Sequence, residues 1–487
     1  MSHPIRIRTQ RAGVLRASAL SAVSLAALLG CSEDVVNLGE DTKPRPTPPS
    51  YSRCVDSPTL AGDVIVNEQA ELDALEGCQT IEGDVTVQPF FYPDLRPLHD
   101  LEVVGGALAF ALIPKDEQST EVYELADAVS NDWLGSFEGL EALQRVGSLT
   151  IWETTAPDLT GLSGLRELTG EGLLSVQGSN LRDLEPLARL QGIESLFVGG
   201  ERLESIAALQ LPPTLSALSV SGEQLTELGE IRSLRKVDTD LEIWQTQLRD
   251  MTAFSQLEWI GGYFSVSSVP ALENLDGLES LTHAAQVVLM SNPLLQNLDG
   301  LTSLEYAEGL AINGNPRLPA VPNFQALGAN LAALTISNNP ALEEIGAFSG
   351  ILASISSIAP DGTAHRIPFR VASQVNSRPD IINILNNPLL RNFSMPAGWP
   401  GGGYVAIHGN TSLETLGLSE FEAIAVLSIE ENAALRSVDL DALRTVDLLS
   451  VLDNPLLTPS TFDSVQTFER KVAGNAGQPP ATQADYQ

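Results

Sequence analysis

Leu272-Glu273-Asn274-Leu275-Asp276-Gly277-Leu278 returns 23 residues later as Leu295-Gln296-Asn297-Leu298-Asp299-Gly300-Leu301. Between the two lies a short apolar–x–apolar triplet, Val287-Val288-Leu289. The same triplet occurs all along the chain, as Val64-Ile65-Val66, Leu149-Thr150-Ile151, Leu218-Ser219-Val220, Leu310-Ala311-Ile312, Leu334-Thr335-Ile336, Ile382-Asn383-Ile384 and Leu449-Ser450-Val451. From Ile151 to Ile336 it recurs every 22 to 25 residues. A fixed period of this length is the mark of a repeat architecture. Period 2 inside each triplet is a strand signal, with two residues facing inward and one outward. So short a repeat leaves no room for a full crossover helix. It holds one short strand, two turns and an extended or 3₁₀ return. Successive strands must then stack in parallel, each rung covering its neighbour's apolar side. The fold class is therefore mainly β: a parallel β-solenoid of ~22–24-residue repeats with short 3₁₀ or helical turns.

A second pattern marks the C-terminal half. Three residues after the last inward strand residue stands Asn292, Asn315, Asn339, Asn387, Asn410, Asn432 or Asn454, most often followed by Pro. Asparagine tolerates left-handed backbone and bonds to turn backbone, so these amides are expected to form a structural ladder. The equivalent positions upstream hold Thr154, Ser179, Glu201, Glu223, Thr246 and Val269. This divides the chain into an N-terminal half over 54–280 and an Asn-ladder half over 281–465. Residues 112–135 read as an acidic surface insertion, and 345–380 as one indistinct rung marked by Ile358. Residues 466–487 read as a polar tail.

Here the chain resembles the receptor L-domain of insulin- and EGF-type receptors and, more generally, leucine-rich repeats. The resemblance rests on Ile81-Glu82-Gly83-Asp84-Val85-Thr86-Val87 and Ile260-Gly261-Gly262-Tyr263-Phe264-Ser265-Val266. It implies a right-handed β-helix-like fold without enzymatic activity. It does not carry hormone-binding residues over. Cys54 and Cys78 look like that family's N-terminal disulfide.

The N-terminus gives an address. Arg6, Arg8, Arg11 and Arg16 precede the small and apolar run 17–30, which ends Leu28-Leu29-Gly30-Cys31. That run is too short to span a bilayer, which takes about 20 residues, and reads as a secretory signal peptide over 1–30. Its ending resembles the lipobox of bacterial lipoproteins, in which Cys31 is lipidated. An ordinary cleavage site with an incidental cysteine is the alternative. Lipidation of Cys31 leaves two of the three cysteines, Cys54 and Cys78. In an oxidising compartment they pair as a disulfide; otherwise they are two free buried thiols. Residues 31–53, with Pro44, Pro46, Pro48 and Pro49, form a soluble tether. The expected location is the cell envelope, anchored in the lipid bilayer at the outer membrane or cell surface.

Charge and motifs narrow the function. The 487 residues include 27 Lys+Arg against 62 Asp+Glu, a net charge of −35. Nucleic acid, which requires a basic surface, is excluded as a partner. The five histidines, His3, His99, His283, His365 and His408, are scattered outside any metal motif, and no serine-hydrolase elbow or nucleotide loop occurs. No metal, cofactor or catalytic residue is expected. Four large residues break an outward row otherwise of small or polar residues: Trp152, Phe197, Trp244 and Met290, on every second rung. They define a ligand-binding stripe about 30 Å long, given strands ~4.8 Å apart. The competing reading is aromatic packing on a sheet, or cover by 112–135. The expected function is non-catalytic binding of a cell-surface protein or glycan. The alternatives are a purely structural envelope protein and a carbohydrate-active β-helix enzyme.

Overall fold

The computed structural model describes residues 52–90, 92–111, 133–178, 180–229, 231–325, 327, 331–348, 381–395 and 402–482. The signal peptide, Cys31, nearly all of the tether, most of the 112–135 insertion and Ile358 lie outside these residues.

The strands stack in parallel into a solenoid of about 15 turns with a repeat near 23 residues. Register is strict. Leu218, Leu241, Phe264, Val287, Leu310, Leu334, Ile382, Val405, Leu427 and Leu449 pair in succession as the first inward column. Val220, Ile243, Val266, Leu289, Ile312, Ile336, Ile384, Ile407, Ile429 and Val451 form the second. Both columns are buried. A one-residue slip would turn every one of these side chains to solvent, so burial itself enforces the register.

The returns are 3₁₀ turns, as at Thr160–Leu162, Glu185–Leu187, Thr252–Phe254 and Asp299–Leu301. Each buries an apolar residue: Leu162, Leu187, Phe254 or Leu301. A side-chain oxygen two residues upstream nucleates the turn. Asp183 accepts from Glu185 N–H at 3.0 Å, Asp250 from Thr252 N–H at 2.9 Å, and Asn297 from Asp299 N–H at 3.2 Å. This explains the Asp or Asn before each returning Leu. Gly277, at φ +107, is required by close approach, because a Cβ there would lie 2.2 Å from Met251 O.

The asparagines form a continuous ladder. Each one after Asn292 accepts, through Oδ1, the backbone N–H of the preceding rung's Asn, as from Asn292 to Asn315 at 3.1 Å and from Asn410 to Asn432 at 3.1 Å. Each Nδ2 donates to a strand carbonyl of the preceding rung, as from Asn315 to Leu289 O and from Asn432 to Ile407 O. All seven are fully buried. The residue before each stands in left-handed backbone: Ser291, Gly314, Asn338, Asn386, Gly409, Glu431 and Asp453. This turn begins two rungs before the ladder, at Gln245 and Ser268, ahead of Thr246 and Val269. The sheet also runs unbroken across residue 280, where Trp259–Ser267 pairs with His283–Met290. Val269, though it has no side-chain amide, starts the ladder by donating its backbone N–H to Asn292 Oδ1 at 3.1 Å.

Two expectations are corrected. Where a rung within 345–380 was expected, Ala333–Ser337 pairs directly with Ile381–Leu385 with no strand between them; the marker Ile358 lies outside the described residues. The two periods between Ile336 and Ile384 thus span a single strand spacing. Phe110 likewise pairs with Ile151, so the stack closes across 112–132. The polar tail does not begin at 466: Gln466–Ala473 is a further strand paired with Thr445–Leu452. Asn475 continues the ladder from Asn454, and Gln478 Oε1 ends it, accepting from Asn475 Nδ2 at 3.2 Å. Polarity hid this rung, since Arg470 occupies the place of an inward Leu and Lys471 an outward place. Charges on an edge strand discourage pairing with another chain.

At the other end Cys54 and Cys78 are joined in a disulfide. It ties the segment before the first rung to the turn after the short helix Gln69–Asp73. Arg53 N–H also donates to Ala74 O at 2.7 Å.

Candidate functional site: the outward sheet face

Alternation exposes three outward rows on each strand: the residue before the triplet, its middle residue and the one after it. From Trp259–Ser267 to Tyr404–His408 these rows contain no Asp, Glu, Lys or Arg. In a chain of net charge −35, that is a face from which charge is excluded. Exposed apolar groups stand on it: Tyr263 at 52%, Met290 at 42% and Tyr404 at 37%. Ile381 and Leu385 are half-buried beside them. Between these larger side chains the floor is small, with Gly309 and Ala311 next to Ala333 and Thr335. Six strands make a face about 24 Å across.

Acids bound it at both ends. Upstream, Glu242 lies between Ser219 and Ser265 in the middle row, with Asp240 in the row before it. Asp240 Oδ1 accepts the Tyr263 N–H at 2.7 Å. Burial, reinforced by the charge of Asp240, raises the Glu242 carboxyl above the ordinary glutamate value. Downstream, Glu430 Oε1 accepts from Ser428 Oγ at 2.6 Å and from Ser450 Oγ at 2.7 Å. His408 Nε2 meets Ser428 Oγ at 2.9 Å. Burial lowers the His408 pKa, against an opposing pull from Glu430 and Glu431.

The four stripe residues are not equivalent. Trp244 and Met290 share one row, separated only by Ser267. Phe197 is in the adjacent middle row, paired with Ser175 and Ser219. All three are partly exposed. Trp152 is also half-buried, but it sits where the register shifts between Ile151 and Thr154. Around it the outward residues are closed to solvent, with Thr150 and Ser175 each at 1% exposure and Leu173 at 2%. The accessible face therefore begins at Phe197. The sequence reading missed Tyr263 and Tyr404, which stand one residue ahead of their triplets; period 2 extended one step back would have found them.

A separate column at the start of the strands stacks rings. Trp259 lies on His283 with centroids 3.4 Å apart, and His283 on Tyr306 at 4.4 Å. Trp259 and His283 are buried, and Tyr306 Oη donates to Glu308 at 2.8 Å. This column stiffens the corner of the solenoid. Among the described residues, no group of three or more His, Cys, Asp or Glu is placed to hold a metal ion. Among them, too, no helix is long and apolar enough to cross a membrane.

No protein-family model matches the chain, and no curated protein matches it. Solved structures do. An internalin of Listeria monocytogenes is similar at 12% identity over 84% of this chain and 89% of that one, with a TM-score of 0.26. Mouse RP105, solved in complex with MD-1, is similar at 13% identity over 86% of this chain and 85% of that one, with a TM-score of 0.24. A leucine-rich-repeat protein of Leptospira interrogans shows 13% identity over 77% and 92%, with a TM-score of 0.21. Likeness at this level says nothing of what the chain binds.

Proposed function

We propose that the chain is a lipid-anchored, non-catalytic scaffold of the cell envelope that binds a protein on its outward sheet face. The supporting observation is the charge-free face carrying Tyr263, Met290 and Tyr404 on a strongly acidic chain. Protein interfaces are depleted of charge at their centres and enriched in aromatic residues and Met. The six strands alone offer about 24 Å by about 15 Å. That is roughly half of the ~800 Å² a partner buries in a standard interface. The contact must therefore extend upstream over Trp244 and Phe197, and Glu242 and Asp240 then lie within it. A partner of complementary chemistry carries a flat uncharged patch with a basic group opposite these acids. The anchor is Cys31, with the tether 31–53 holding the solenoid away from the bilayer.

A photo-crosslinker placed at Met290 in intact envelopes tests the face. The expected product is a protein adduct that Tyr263→Asp and Tyr404→Asp each reduce at least about tenfold. An adduct sensitive to glycosidase and resistant to protease would make the partner a glycan. Capture unaffected by both substitutions would leave the structural-protein reading in its place. For the anchor, Cys31→Ala should abolish lipid labelling and release the chain from membranes; continued retention would refute it.

A further inference from the structure

We propose that His408 makes this face pH-sensitive: on acidification its imidazole takes a proton at Nδ1, while Nε2–H stays in a hydrogen-bonded relay through Ser428 to Glu430. The inference rests on the reading of the face as the binding surface, and adds its regulation. Among the residues of the six charge-free strands that point outward, His408 is the one that can gain a charge near neutral pH. It is half-buried at the downstream edge of the face. Its Nε2 meets Ser428 Oγ at 2.9 Å, and Ser428 Oγ in turn donates to Glu430 Oε1 at 2.6 Å. Ser428 is buried, and Glu430 takes a second hydroxyl from Ser450 at 2.7 Å. With Ser428 donating to the carboxylate, His408 must donate to Ser428 through Nε2–H. The relay is thus oriented from the imidazole to the acid.

Among the described residues, the titratable groups facing His408 are few. The neighbouring strand Ile381–Leu385 contributes no titratable group. The strand on its other side, Ala423–Glu430, contributes Glu430, and the turn after it contributes Glu431. On its own strand stands Tyr404. Burial disfavours the imidazolium, so the face is uncharged at neutral pH. On acidification the new positive charge sits beside Leu385, its partner in the register, and on the row that leads to Met290. A contact that relies on an uncharged surface then meets a partly desolvated positive charge at its edge.

The test uses the full chain and two readouts. Proton–carbon NMR of the histidine Cε1–H follows the charge, with the His408 signal assigned by its loss in His408→Gln. The expected midpoint lies below the ordinary histidine value, and Glu430→Gln, which removes the opposing carboxylate, lowers it further. Binding of the anionic dye 8-anilinonaphthalene-1-sulfonate reports the face. Its affinity should rise at least about threefold across the His408 midpoint in the wild type and stay flat in His408→Gln. A His408 midpoint at the ordinary value and indifferent to Glu430→Gln overturns the relay. An equal dye response in His408→Gln overturns the link to the face. Both results are independent of the Met290 crosslink: if that capture fails while His408 titrates as expected, the binding reading falls and the switch stands.

Discussion

Asn339 and Asn387 are 48 residues apart in the chain and adjacent in the solenoid: Asn387 Oδ1 accepts both the backbone N–H of Asn339, at 3.2 Å, and its Nδ2, at 3.3 Å. The ladder crosses an insertion without losing a step. Asn387→Ala removes that acceptor and also the Nδ2 bond to Ile336 O at 3.0 Å. Buried groups left without a partner cost ~1–3 kcal/mol. Urea unfolding should show this loss. An unchanged midpoint would mean that water replaces the amide.

Thr246 occupies the ladder position two rungs before Asn292, fully buried, with its Oγ1 lacking a hydrogen-bond partner. The next rung holds Val269 there. Thr246→Val keeps the shape and removes an unsatisfied hydroxyl, so the chain should gain up to ~1 kcal/mol. A loss of stability would show that the hydroxyl has a partner in solution.

The left-handed column is occupied by glycine at Gly314, Gly409 and Gly474 but by Glu431 at φ 58. An ordinary side chain in this backbone costs about 1–2 kcal/mol. Glycine avoids that cost but loses more chain entropy on folding. Glu431→Gly should therefore stabilise by roughly 0.5–1 kcal/mol, and Gly409→Ala should destabilise. Thermal melts of the two variants should shift in opposite directions.

Glu242 carries the opposite sign of pH dependence from an ion-paired acid. Its folded pKa is raised by burial and by Asp240. Its contribution is therefore fully present below the ordinary glutamate value and is lost as pH rises through the folded one. Glu242→Gln should leave stability at pH 4 little changed and raise it at pH 7, by about 0.5–1 kcal/mol. Equal shifts at both pH values would mean that the carboxyl titrates normally.

His408 has a lowered folded pKa. Its contribution is complete above the ordinary histidine value and declines as pH falls below it. His408→Gln should flatten the stability profile just below the ordinary histidine value. The slope is read from urea midpoints at half-unit steps, and an unchanged slope assigns it to other groups.

The amino-acid pattern by itself determined the repeat, the inward columns, the Asn ladder from Asn292 to Asn454 and the outward direction of Phe197, Trp244 and Met290. These follow from local rules: period 2 within a strand, and a turn chemistry that only certain residues satisfy. It failed where a rung is defined by its neighbours rather than by its own composition. Gln466–Ala473 reads as polar, yet it is a strand because Thr445–Leu452 offers it a free edge. Residues around Ile358 contain apolar side chains at nearly the right spacing, yet the stack passes from Ile336 to Ile384 directly. Spacing along the chain cannot separate a rung from an insertion of equal length; hydrogen bonds between strands can. The charge-free face was likewise decided by tertiary structure. Tyr263, Met290, Leu385 and Tyr404 are far apart in sequence, and only parallel stacking at ~4.8 Å brings them onto one surface.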